Sequence, residues 1–101
     1  MEIKTQHSQD KSVIIIDNDK LIGNENEIFQ KAVQESIDTG SKNISIDLSS
    51  VKYMSSMGIG ILVHAYTTCF NKNIKFNIKG ANEGVLNVLS HLKLTELFNI
   101  V

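Results

Sequence analysis

Two apolar rhythms alternate along this chain, and their alternation restricts the fold more than any other feature. Strand-like segments, of period two or with unbroken β-branched runs, give way to segments of period 3.6. Ile3 to His7 is short and alternating. After a polar break at Gln9-Asp10-Lys11, Val13-Ile14-Ile15-Ile16 forms a continuous β-branched run that ends at Asn18-Asp19. Such a run predicts a strand buried on both faces. Asn24 with Glu27 three residues later reads as a capping box. Behind it Ile28, Phe29, Ala32, Val33 and Ile37 recur at helical spacing, and Gly40 is placed as the stop.

The second half repeats the scheme. Ile44, Ile46 and Leu48 alternate as a strand does, and a helix is predicted from Ser55 or Ser56 to about Phe70. Ile74, Phe76 and Ile78 form another alternating strand. Asn82 can cap a last helix whose Val85, Val88, Leu89 and Leu92 make an i, i+3, i+4, i+7 stripe. The tail residues Leu94, Leu97, Phe98 and Ile100 are expected to pack back on the core. Strands separated by helices need crossovers, which are right-handed and pair the later strands in parallel. The first two strands are close enough for a hairpin. At 101 residues there is material for one core and no second. The expected architecture is α/β: a single domain over 1–101, with one mixed four- to five-stranded β-sheet and helices packed on it.

Composition removes several classes of function. Ten basic residues against 11 acidic ones leave a net charge of −1, so there is no global basic footprint for nucleic acid. The near-neutrality is uneven, with a balance of −4 over residues 1–50 and +3 over 51–101. Every basic residue is lysine, which rules out the bidentate guanidinium grip on phosphate or carboxylate. Lys72, Lys75 and Lys79 read as a solvated strand edge. The lone Cys69 excludes an internal disulfide or a multi-cysteine zinc site and is expected to be a small buried hydrophobe. His7, His64 and His91 have no ligand spacing, so no metal is expected. The apolar stretch Met57 to Ala65 is too short to span a bilayer, and the N-terminus lacks a signal-peptide layout; a cytoplasmic location is expected.

The informative stretch runs from Ile44 to Val63. A strand ends, a short loop follows, and Ser55 and Ser56 meet the start of a helix that carries Gly58 and Gly60. Sites in open α/β sheets gather beyond the carboxyl ends of strands, and a helix N-terminus favours an anion. The residues alone leave two readings: a functional serine, or a plain N-cap followed by glycines for close packing. A hydrolase would need a base within reach of the serine. His64 lies eight residues along the same helix, about 12 Å of rise, and the G-x-S-x-G arrangement is absent. Gly58-Ile59-Gly60 begins a nucleotide fingerprint, but Val63 stands where the third glycine belongs. No enzymatic activity is expected.

Asp47-Leu48-Ser49, then Tyr53-Met54, then Ser55-Ser56-Met57-Gly58-Ile59-Gly60, resembles the signature of STAS-domain anti-sigma factor antagonists. In that family a strand ends in Asp-Leu-Ser, and an aromatic or apolar pair precedes Asp-Ser-(Ser/Thr/Ala)-Gly-(Leu/Ile)-Gly. The resemblance implies that Ser56 is the phosphorylated serine. Ser55 stands where the family has an aspartate and is the alternative acceptor; Met57 replaces a small residue. It also implies a partner-facing surface of Asp19, Tyr53, Met54, Ser55, Ser56, Met57 and Gly58. The implied partners are an anti-sigma factor with serine kinase activity and a PP2C-type phosphatase, with no direct contact to nucleic acid or membrane. The chain would be a monomer when free and hold no cofactor, ATP and magnesium belonging to the kinase. The alternative is a STAS subunit or scaffold of a larger lipid-transport or stress-sensing assembly, with a constitutive interface.

Overall fold

The computed structural model describes residues 2–21, 23–98 and 100. Strand β1 (Glu2–Ser8) turns at Gln9, whose φ is +49°, into β2 (Lys11–Asp17), and the two pair antiparallel as a hairpin. Helix α1 (Glu25–Asp38) then crosses to β4 (Asn43–Asp47), with a two-residue strand β3 (Lys20–Leu21) before it. A second short strand, β5 (Tyr53–Met54), precedes α2 (Ser56–Asn71), β6 (Lys75–Lys79) and α3 (Glu83–His91). The main sheet has the order β1-β2-β4-β6, with β2, β4 and β6 parallel. It is the mixed α/β sheet expected from the sequence. β3 and β5 pair separately, in parallel.

Register explains where the core sits. Ile14, Ile46 and Ile78 stand in one row across β2, β4 and β6, and Ser12, Ile44 and Phe76 stand in the next. All six are buried, and the apolar ones join Phe29, Val33, Leu62, Ala65 and Cys69 of α1 and α2 in one core. Each fully buried isoleucine contributes about 1.5–3 kcal/mol over an exposed one. The opposite face carries Val13-Ser45-Asn77 and Ile15-Asp47-Lys79. Val13 and Ile15 are only half-buried there, so β2 is not covered on both faces as its β-branched run suggests. The apolar core lies against one face, and the residues beside Val13 and Ile15 on the other are mostly polar.

Helix ends differ from expectation in one respect. Asn24 precedes α1 but makes no side-chain cap bond, because its own backbone is already helical (φ −64°, ψ −22°). Its carbonyl instead accepts from the N–H groups of Glu27 and Ile28. At the other end Gly40 adopts φ +82° and donates to the carbonyl of Ile37, the expected stop. In α3, Asn82 caps Val85 as expected. The stripe behind it does not all face inward: Val85 and Leu89 are buried, but Val88 is 44% and Leu92 52% exposed. In the tail, Phe98 is buried against the rings of Tyr66 and Phe76, whereas Leu97 is exposed. Ile100 bridges to Ile78 at the open edge of β6. Cys69 is buried, and desolvation pushes its thiol from the ordinary 9.0 up to about 11. No helix among the described residues is long and apolar enough to cross a membrane.

Candidate functional site

The loop after β4 is built by short-range polar contacts. Asp47 at the strand end accepts from the backbone N–H of Ser49 (2.9 Å) and from its hydroxyl (2.7 Å), a turn-forming use of an aspartate. Leu48 and Val51, both fully buried, pin the turn to the core. Gly80, at φ +68°, lies so close that a Cβ there would come within 2.8 Å of the Ser49 Cβ; only glycine fits. The N–H groups of Lys52 and Tyr53 then donate to the carbonyl of Asp19 (2.7 and 3.0 Å), and that of Ser55 donates to Leu21 (3.1 Å). These bonds make the small β3-β5 sheet. They bring Asp19 beside Tyr53 across more than thirty residues of chain.

The two serines divide their work. Ser55 is extended (φ −75°, ψ 166°) and is the N-cap of α2. Its Oγ accepts from the N–H of Gly58 (3.3 Å) and from Nδ2 of Asn26 (3.2 Å), a side chain only 2% exposed in the first turn of α1. The cap of one helix is thereby tied to the start of another. Ser56, the first residue of α2, is exposed, and its hydroxyl makes no hydrogen bond among the described residues. It stands at the positive end of a 16-residue helix with no acidic residue in its first turn.

Around Ser56 the surface is apolar. Tyr53 and Met57 are each 64% exposed, Met54 is half-buried, and Asp19 is exposed. Met57 therefore fills no core space. Gly58 departs from the expected partner-facing set because it is buried. A Cβ there would sit 3.1 Å from Oδ1 of Asn26 and 3.3 Å from Cδ2 of Leu21, so this glycine lets α2 approach β3 and α1 and offers no surface. Gly60 is different: nothing lies within 4 Å of its added Cβ.

A groove of about 190 Å³ opens beside this patch, lined by Lys52, Tyr53, Met54 and Ile59 on one side and by Gly84, Val85, Val88 and Leu89 of α3 on the other. Nearby, Asn82 donates from Nδ2 to the carbonyl of Val51, which ties the start of α3 to the loop before β5. Sequence reasoning singled out Tyr53 and Met54 but not Lys52, Ile59 or Gly84. The available signal was the α3 stripe, which is wider than the buried strip it covers.

The histidines sit elsewhere. His7 Nδ1 meets the buried Ser12 hydroxyl (2.7 Å), which meets that of Ser41 (2.5 Å), at the end of the sheet opposite Ser56. His64 is exposed on α2. Among the described residues, no group of three or more histidine, cysteine or acidic side chains could hold a metal ion.

The fold is similar to that of an anti-sigma factor antagonist from Mycobacterium paratuberculosis (17% identity, covering 98% of this chain and 83% of that one, TM-score 0.86). It is also similar to Bacillus SpoIIAA in its unphosphorylated form (14% identity, 99% and 88% covered, TM-score 0.84) and its phosphorylated form (13%, 99% and 91%, TM-score 0.79). A third likeness is to part of the murine Solute Carrier 26 family member A9 anion transporter (18% identity, 94% of this chain and 16% of that one, TM-score 0.74). A family model for the STAS domain matches residues 2–101, and the chain belongs to the STAS domain family.

Proposed function

We propose that this chain is an anti-sigma factor antagonist: a non-enzymatic docking module, a monomer when free, that works in the cytoplasm and is switched by phosphorylation of Ser56. The observation that carries this reading is the division of labour between the serines. Ser55 is engaged as a cap, whereas Ser56 is exposed and its hydroxyl is uncommitted. The likeness to SpoIIAA, a protein known in both phosphorylated and unphosphorylated forms, supports the same assignment. Unmodified, the surface of Asp19, Tyr53, Met54, Ser56 and Met57 holds an anti-sigma factor with serine kinase activity, which frees a sigma factor. Phosphate on Ser56 adds about −1.5 to −2 charges and three acceptor oxygens. The dipole at the start of α2 tolerates that charge, so the fold persists. A partner that buries the serine against apolar surface does not tolerate it, and each 1.4 kcal/mol of opposition is about tenfold in affinity. A PP2C-type phosphatase resets the switch.

Incubation with candidate anti-sigma kinases and ATP, followed by site-mapping mass spectrometry, tests this directly. Wild type and Ser55→Ala should take phosphate on Ser56, and Ser56→Ala should take none. Phosphate kept by Ser56→Ala and lost by Ser55→Ala would overturn the assignment. No phosphate on any form, with no kinase binding, would remove the switch altogether.

The likeness to a transporter domain supports a second reading, a STAS subunit or scaffold of a larger lipid-transport or stress-sensing assembly with a constitutive interface. A partner that stays bound to Ser56→Asp would favour it.

A further inference from the structure

We propose that the groove between β5, α2 and α3 receives one apolar side chain of the docking partner, with a partner carboxylate set against Lys52. This rests on reading the chain as a docking module and adds what the partner must present.

Gly84 is the first observation. Its φ is ordinary for a helix, and a Cβ there would meet only Oδ1 of Asn82 at 3.5 Å and the Lys52 carbonyl at 3.7 Å, normal van der Waals distances. The fold therefore does not need glycine at this position, although glycine weakens a helix. What the missing side chain does is leave one wall of the groove open. Second, α3 spends part of its apolar stripe on this groove: Val85 and Leu89 are buried beneath it, while Val88 stays exposed at its rim.

Size, charge and continuity name the occupant. About 190 Å³ is on the scale of one large apolar side chain, smaller than a typical ligand pocket. Among the described residues, exposed Lys52 is the one charged residue lining the groove, so a partner presenting a carboxylate there is favoured over one presenting an amine. Tyr53 and Met54 belong both to the groove and to the surface around Ser56, and Ile59 follows Ser56 by three residues on α2. One partner can cover both features. An anchor side chain in a pocket is the arrangement that concentrates binding energy in interfaces, while a charge at the rim steers the partner's approach and orientation.

Two measurements test this. In the first, the purified kinase that phosphorylates the chain is titrated calorimetrically, without ATP, against wild type, Gly84→Ala, Gly84→Leu and Lys52→Glu. Gly84→Leu and Lys52→Glu should each weaken binding at least tenfold, and Gly84→Ala severalfold, while the thermal midpoint of Gly84→Ala is unchanged or raised. Wild-type affinity in all three variants would overturn the groove and leave the docking reading standing. A kinase that phosphorylates the chain yet does not bind it stably would overturn both.

The second needs no protein partner. The labelled chain is titrated by NMR with 4-methylpentanoate, a leucine side chain carrying a carboxylate, and with 4-methylpentylamine. The acid should shift the amides of Met54, Gly84 and Val88 at least fivefold more effectively than the amine, and Gly84→Leu should abolish the shifts. Equal response to acid and amine would overturn the carboxylate, and shifts confined to other regions would overturn the groove.

Discussion

Replacing Ser55 and Ser56 in turn separates the serine that caps α2 from the one proposed to take the phosphate. Ser55→Ala removes an acceptor used twice. The N-cap bond to Gly58 contributes about 1 kcal/mol. The Asn26 amide, almost fully buried, loses its partner at a further cost of about 1–3 kcal/mol. The sum is about 2–4 kcal/mol, which lowers the thermal midpoint of a domain this size by roughly 10–30 °C. Ser56→Ala removes an exposed hydroxyl with no partner among the described residues and installs a better helix former, so stability should move by no more than about 0.5 kcal/mol. Urea titration followed by circular dichroism measures both. Asn26→Ala closes a double-mutant cycle, and the pair should cost about 1 kcal/mol less than the two single changes added. Equal effects of Ser55→Ala and Ser56→Ala, or a Ser55→Ala loss below about 0.5 kcal/mol, would refute the division of roles.

Other outcomes follow from individual contacts. Gly60→Ala should stabilise by about 0.5–1 kcal/mol, since the added methyl meets open space. Gly58→Ala should give a net loss of about 1 kcal/mol, because Leu21 and Asn26 are both buried and cannot yield freely; paired denaturation curves decide both. Ser56→Asp should keep the native circular dichroism spectrum and gain about 0.3–1 kcal/mol at low salt from the α2 dipole. Cys69 titrates higher in the folded chain (about 11) than its ordinary 9.0. Its contribution is therefore complete below about pH 9 and is lost as pH rises toward 11, a fall in stability that Cys69→Ala should lack. A thiol reagent at pH 8 should modify wild-type Cys69 only after denaturant is added.

Much of the fold was legible because the main elements carry their own periodicity. Ile44-Ile46-Leu48 and Ile74-Phe76-Ile78 alternate, and Gly40 and Asn82 end and start helices by local geometry that needs no distant contact. Legibility failed where a neighbour decides the outcome. Val13-Ile14-Ile15-Ile16 has the composition of a doubly covered strand, but coverage depends on where the helices land. The strands Lys20–Leu21 and Tyr53–Met54 are two residues each, too short for any period, and exist through pairing across the chain. Within the candidate site, the serines, Tyr53 and Met57 lie in one contiguous stretch, and it is the family resemblance that picks them out; the residues alone leave a plain N-cap open. Asn26 and Gly84 are picked out by neither. Their roles depend on α1 and α3 meeting the ends of α2 and β5, and neither residue is unusual in its own segment.

Affinity for the proposed partner, an anti-sigma factor with kinase activity, before and after stoichiometric phosphorylation of this chain bears most directly on the central claim. The expected result is tight binding by the unmodified chain and a loss of at least tenfold, about 1.4 kcal/mol, on phosphorylation at Ser56, with an unchanged circular dichroism spectrum. Equal affinity of the two forms, or a loss accompanied by unfolding, would contradict a docking switch at the start of α2.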